Sequence, residues 1–243
     1  GRGPGILFIH GWVGSWRYWI PAMQALSARY RTYAIDLWGF GDTGKQPAYY
    51  SLDSQVELIA RFMDQLGVAK VALVGHGLGG AVAIRFAARH PDLVARLMTI
   101  GTPLNGAAIN SRFTTATIPA LIDWLVGKGP GSDEITAEAN KIDPAVIQAS
   151  LLYLSEIDFA AELGQTAAPT LMVHGEKDTA VSPPPETWLN GANPNLHTMA
   201  FEEGKHFPML DNPPKFNRLL ADFLEATDLT SLQLKEEWKR RMR

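Results

Sequence analysis

Short apolar runs recur along the chain, and longer stretches with helical spacing separate them. Residues 6–9 run into His10-Gly11, residues 33–35 close on Asp36, and residues 71–74 run into Gly75. Residues 96–100 close on Gly101-Thr102-Pro103, residues 170–173 on His174-Gly175, and residues 196–201 form the last clear run. Apolar runs this short, with little polar alternation, read as strands buried on both faces. Residues 52–66 repeat Leu52, Val56, Ile59, Phe62, Met63 and Leu66 at helical spacing and stop at Gly67, which predicts an amphipathic helix. Helical spacing also marks residues 16–28, residues 78–89 before Pro91, and residues 213–226, where proline stands at the start. Strands alternating with helices predict an α/β fold with a mostly parallel sheet and helices on both faces. Right-handed crossovers leave few topologies.

Two stretches break this rhythm. Residues 104–167 lie between two predicted strands and far exceed one crossover helix. They hold helical pieces at 118–126 and 144–154 and a Gly-rich turn at 127–132. We expect an insertion that forms a lid over the carboxyl ends of the strands, where ligands bind in such sheets. The second stretch is the tail, residues 227–243. Ser231 is a candidate helix cap there, with Leu234, Trp238 and Met242 on one stripe and Lys235, Lys239, Arg240, Arg241 and Arg243 making it basic. The expected organisation is one domain over residues 1–226 and a helical tail available for protein contact.

Composition narrows the function. About half of the 243 residues are apolar (46%) and 19% are charged, which excludes a disordered chain. The formal net charge of −3 offers no electrostatic reason to expect nucleic acid. The chain has no cysteine, which excludes disulfides, thiolate metal sites and a thiol nucleophile. No apolar run approaches the ~20 residues of a membrane helix. No histidine pair has zinc-ligand spacing beside a carboxylate, so no metal site is expected. The first residue is Gly1 rather than Met, and strand-like sequence follows almost at once. The expectation is a trimmed N-terminus, which leaves targeting open and a soluble, cytoplasmic location as the default.

The most informative stretch is Gly75-His76-Gly77-Leu78-Gly79-Gly80, where a strand turns straight into a helix. This is the setting of a nucleophile elbow, G-x-S-x-G, with Gly77 in place of the serine. Here the chain resembles the α/β-hydrolase family, over nearly its whole length. His10-Gly11-Trp12 matches the family's oxyanion turn, and Asp36-Leu37-Trp38-Gly39-Phe40-Gly41-Asp42-Thr43 matches the loop after the next strand. Gly175-Glu176-Lys177-Asp178 matches the segment that carries the acid, and Gly204-Lys205-His206-Phe207-Pro208 the segment that carries the histidine. The resemblance implies His206 as general base, Asp178 as its orienting acid, and the backbone N–H groups of Trp12 and Leu78 as the oxyanion hole. It also implies a hydrophobic carboxylic ester or acyl compound as substrate, with no metal or organic cofactor. His10, Trp38, Phe40, His76 and Trp124 are the candidate substrate contacts, while Trp16 and Trp19 read as packing. The family's usual hairpin ahead of the first strand has no counterpart before Ile6, and a missing segment is the expected reason.

Glycine carries no nucleophilic atom. Losing the nucleophile of a serine hydrolase costs about 10⁶ in turnover, or roughly 8 kcal/mol of barrier. Ser15 and Ser182 lack elbow placement, and Leu78 stands where aspartate-nucleophile relatives often carry tryptophan. Three readings follow: an esterase-type hydrolase with its serine replaced by design, a natural pseudo-hydrolase that binds a small apolar ligand or a protein, or base chemistry by His206 and Asp178 with no covalent intermediate.

Overall fold

The computed structural model describes residues 1–127, 132–185 and 193–234. Six strands form one parallel sheet: β1 (Gly5–Ile9), β2 (Arg31–Ile35), β3 (Val71–His76), β4 (Val94–Ile100), β5 (Thr170–Gly175) and β6 (Leu196–Phe201). Their order is β2-β1-β3-β4-β5-β6. Each strand anticipated from an apolar run is present, and the central β3 is buried along its whole length.

Register explains how helices cover both faces. Ile9 pairs with Gly75, so Phe8 points to the face opposite Gly75. On the Phe8 side, the Trp19 ring lies 5.0 Å from Phe8 and 6.2 Å from Phe216. It thereby ties β1 to the helix α10 (Pro213–Glu225; α9 is Pro208–Asp211). The helix α1 (Ile20–Leu26) packs against α10 there. On the Gly75 side, the helix α3 (Leu78–Arg89) presses directly on the sheet and packs against α2 (Leu52–Gln65). The predicted helix over 16–28 divides: a 3-10 turn, Trp16–Trp19, precedes α1, and Pro21 sits in the first turn of α1. Proline has no N–H to give the preceding turn, which suits a fresh helix start.

Between β4 and β5 the chain forms α4 (Arg112–Thr115), α5 (Ile118–Leu125), α6 (Ser132–Ala139), α7 (Pro144–Glu156) and α8 (Ala160–Gln165). Helix α8 packs on α3 as a crossover element, and α4 to α7 form an excursion from the sheet. Sequence spacing anticipates α5 and α7. It does not reveal α6, whose buried residues are only Ile135, Glu138 and Ala139, too few to show a period. In the tail, Asp228 rather than Ser231 is the cap, and the element it starts is a 3-10 turn, Leu229–Ser231. Leu234 packs on the core. Residues 128–131 of the Gly-rich turn, and the tail from Lys235 on with Trp238 and Met242, lie outside the described residues. Among the described residues no helix is long and apolar enough to cross a membrane.

Candidate active site

The site forms where β1, β3, β4 and β5 end. At the end of β3 the backbone passes through Gly77 at φ 51°, ψ −116° and enters α3 at once. That turn is possible because strand and helix nearly touch. A β-carbon on Gly79 would stand 2.4 Å from the His10 carbonyl oxygen, and one on Gly75 would stand 2.5 Å from the Gly79 carbonyl oxygen. Only glycine fits either position. Gly77 N–H donates to Ile100 O at 2.8 Å, which anchors the turn to β4. Leu78 N–H, at the first position of α3, and Trp12 N–H, in the turn after β1, meet no acceptor among the described residues.

His206 and Asp178 come from loops after β6 and β5, and the fold brings them together. His206 Nδ1–H donates to Asp178 Oδ2 at 2.9 Å, with both side chains buried. The other carboxylate oxygen, Oδ1, accepts from Ala180 N–H at 2.7 Å and Val181 N–H at 3.2 Å. An acceptor at Nδ1 places the imidazole proton there and leaves Nε2 with a free lone pair. Gly101 passes beneath the pair at φ 51°, where a β-carbon would stand 3.1 Å from His206 Nδ1 and 3.2 Å from Asp178 Oδ2. Sequence reading assigns Gly101 only a strand-ending role. Its proximity to the pair depends on β4 and β5 being neighbours.

The side chain of Trp12 lies over Gly77, and the excursion holds it there. Trp12 Nε1–H donates to Ser150 Oγ of α7 at 2.8 Å, and Ser150 Oγ–H donates to Ile147 O at 2.6 Å. The ring also packs on Phe113 of α4 at 4.9 Å. A second clasp joins α6 to the turn after β1 and the loop after β2. Glu138 pairs with Arg17 at 3.2 Å and Lys141 at 2.9 Å, and Lys141 pairs with Asp42 at 3.0 Å. Burial pushes the Glu138 carboxyl up, but hydrogen bonds from Lys141 and Ser15 and the charges beside it hold it below the usual range. A third clasp is Tyr50 Oη–H donating to Asp143 Oδ2 at 2.6 Å.

Three of the five expected substrate contacts turn inward. His10 is fully buried, with Nδ1–H donating to Gly11 O at 2.7 Å and Nε2 accepting from Leu37 N–H at 3.0 Å, so no ring nitrogen is left for a ligand. Burial lowers its pKa, against the pull of Asp36. Phe40 is equally buried and meets the His10 ring edge-on at 4.9 Å. His76 is fully buried and bonded at both nitrogens, to Tyr18 Oη at 3.0 Å and His206 O at 2.8 Å. Trp38 stacks on Tyr49 at 5.2 Å and lines a groove of 420 Å³ with Asp53, Glu57, Leu58 and Arg61, whose walls include no residue of the elbow or the His–Asp pair. Trp124 packs on Phe113 at 5.8 Å and under the Arg112 guanidinium, one ring removed from Trp12. Ser150 and Tyr18 carry no motif, and sequence reading passes over both. Among the described residues no group of three His, Asp or Glu is placed to hold a metal ion.

The strand order, the tight turn into α3 and the His–Asp pair after the last two strands define a class. The chain belongs to the α/β-hydrolase family, whose alpha/beta hydrolase fold model matches residues 4–126. Among individual relatives, the pimeloyl-(acyl-carrier protein) methyl ester esterase of Nitrosomonas europaea is 28% identical over 241 residues, covering 89% of this chain and 94% of that protein. The bromoperoxidase from Bacillus anthracis superposes with a TM-score of 0.81 at 23% identity, covering 93% of each chain. The structure of E-2-(acetamidomethylene)succinate hydrolase gives 0.79 at 25% identity, again over 93% of each.

Proposed function

We propose that this chain is an esterase-type α/β-hydrolase whose acid, base and oxyanion donors are built but whose nucleophile is absent. It therefore carries out little or no covalent ester hydrolysis. The observation that carries the reading is the 2.9 Å His206–Asp178 bond in a site whose elbow residue, Gly77, has no side chain. In this reading His206 Nε2 is the base, Asp178 fixes its tautomer, and Trp12 N–H and Leu78 N–H receive the oxyanion. The excursion acts as the lid. The name of the esterase relative supports a carboxylic ester as the substrate class, and a groove of 460 Å³ lined by Phe113, Ile118, Leu121 and Ile147 supports a hydrophobic one. Phe113 links that groove to Trp12.

A second reading rests on the same free groups. His206 Nε2 and both oxyanion donors have no partner among the described residues. A base next to free N–H donors can activate a water or take a substrate proton with no covalent step.

The deciding experiment compares the unmutated chain with Gly77→Ser on p-nitrophenyl acetate and octanoate and with a fluorophosphonate label. The expected result is labelling and ester turnover in Gly77→Ser only. A folded Gly77→Ser chain that neither labels nor turns over ester refutes the esterase reading. Turnover by the unmutated chain that disappears in His206→Ala establishes the second.

A further inference from the structure

A buried line of hydrogen bonds crosses the core beneath the site, through two residues that no triad role uses. Gly11 N–H donates to Tyr18 Oη at 2.6 Å. Tyr18 Oη is 3.0 Å from His76 Nδ1, and His76 Nε2 is 2.8 Å from His206 O. The two ends, with His76 neutral, settle every direction along the line. A peptide N–H can only donate and a carbonyl can only accept. His76 therefore carries its proton on Nε2, and Tyr18 Oη–H donates to Nδ1. Protonating His76 would leave the Tyr18 hydroxyl hydrogen facing another donor.

The surroundings reinforce this state. Burial, with the nearby His206 and His10 rings, pushes His76 well below the ordinary histidine range. Burial likewise raises the Tyr18 hydroxyl. Rings close the line on its flanks: Phe207 lies 4.6 Å from His76 and 5.7 Å from Tyr18, and the His76 and His206 rings are 4.6 Å apart. A β-carbon on Gly11 would stand 2.8 Å from His76 Nδ1, so the oxyanion turn rests directly on this imidazole.

The two ends are the two halves of the site. Gly11 precedes Trp12, whose N–H is an oxyanion donor, and the accepting carbonyl belongs to His206 itself. We infer that Tyr18 and His76 are positioning residues, a relay that sets the oxyanion turn and the His206 backbone in one fixed register. This rests on the proposed roles of Trp12 and His206. A relay of this kind acts on the geometry of the reacting groups and not on substrate binding, and a misplacement of about 1 Å costs roughly 10²-fold in rate.

Two measurements test it. The first needs no activity. Imidazole ¹H–¹⁵N spectra of the unmutated chain should show His76 as a neutral Nε2–H tautomer that does not titrate between about pH 5 and 8. Tyr18→Phe should move the Trp12 backbone amide and His206 backbone amide resonances at fixed pH, because the line that joins the two segments is cut. The second uses the Gly77→Ser chain, where Tyr18→Phe and His76→Leu should lower kcat by about 10–100-fold with KM within about twofold. His76→Gln, which offers an acceptor and a donor two bonds apart as imidazole does, should recover most of that loss. An Nδ1–H tautomer or a titrating His76 overturns the relay. The correct tautomer with unmoved Trp12 and His206 amide resonances in Tyr18→Phe overturns the positioning role. If Gly77→Ser has no esterase activity, the esterase reading fails, and the Trp12 and His206 amide resonances alone decide the relay.

Discussion

The indole of Trp12 stands over Gly77, with Cε3 3.2 Å and Cζ3 3.3 Å from where a β-carbon on that glycine would lie. That spacing is tighter than ordinary van der Waals contact, so any side chain at position 77 must push the ring aside by a few tenths of an ångström. The ring is not free to move, because Ser150 holds its Nε1–H at 2.8 Å. Gly77 also has φ 51°, which an L residue adopts only at a cost. Gly77→Ser should therefore lower stability by about 1–3 kcal/mol. Ser150→Ala should cost about 1–3 kcal/mol by leaving the buried indole N–H unpaired. The two changes should be coupled: in the Ser150→Ala chain the ring yields more easily, and the Gly77→Ser cost shrinks. Urea unfolding of the double-mutant cycle checks this. Strict additivity would mean that Ser150 does not hold the ring against position 77.

The His206–Asp178 bond makes a prediction about rate and not about fold. Asp178 Oδ2 holds the proton of His206 on Nδ1, and an amide at that position can turn its NH₂ toward the ring and select the other tautomer. In the Gly77→Ser chain, Asp178→Asn should lower kcat by about 10⁴. In the unmutated chain it should leave ester turnover unchanged. Comparable kcat values for Gly77→Ser with and without Asp178→Asn would remove Asp178 from the mechanism.

Acid should destabilise the protein before its carboxylates titrate. Burial depresses His10, His76 and His174 below the ordinary histidine value of 6.5. The unfolded chain then binds more protons than the native one, so stability rises with pH in that range. The full stability is present above about pH 6.5 and falls as the pH drops below it. The slope approaches about 1.4 kcal/mol per pH unit for each of the buried His10 and His76 and is smaller for the half-buried His174. Urea midpoints between about pH 7.5 and 5 read this slope directly. His76→Gln, which has no titrating group, should make it shallower by one histidine's share. Stability flat over that window would show that these imidazoles are protonated in the native state.

Much of the fold is legible in the residue pattern because its signals are local. Residues 71–74 are continuously apolar and run into Gly75, and a strand with both faces buried needs that composition. Residues 78–89 follow without a loop, and Gly75 and Gly79 permit the close approach the turn requires. The short helices α4 and α6 are not legible, since each buries one to three side chains. In the site, Asp178 and His206 are legible as residues just after strands. The inward placement of His10 and Phe40 is not legible, because a polar or aromatic residue beside a motif looks the same whether it faces a ligand or the core. Their burial depends on the loop after β2 folding back on the turn after β1.

The sequence by itself determined the strand and helix succession, the family and the absent hydroxyl or thiol at position 77. All of these depend on residues a few positions apart or on the identity of one. The tertiary structure alone decided what occupies the space over Gly77 and what aligns the site's two halves. Trp12 meets Ser150 across 138 positions, and His76 meets His206 across 130. No local spacing encodes those contacts. They arise when the excursion and the last loop pack against the strand ends, where buried N–H and O–H groups must each find an acceptor.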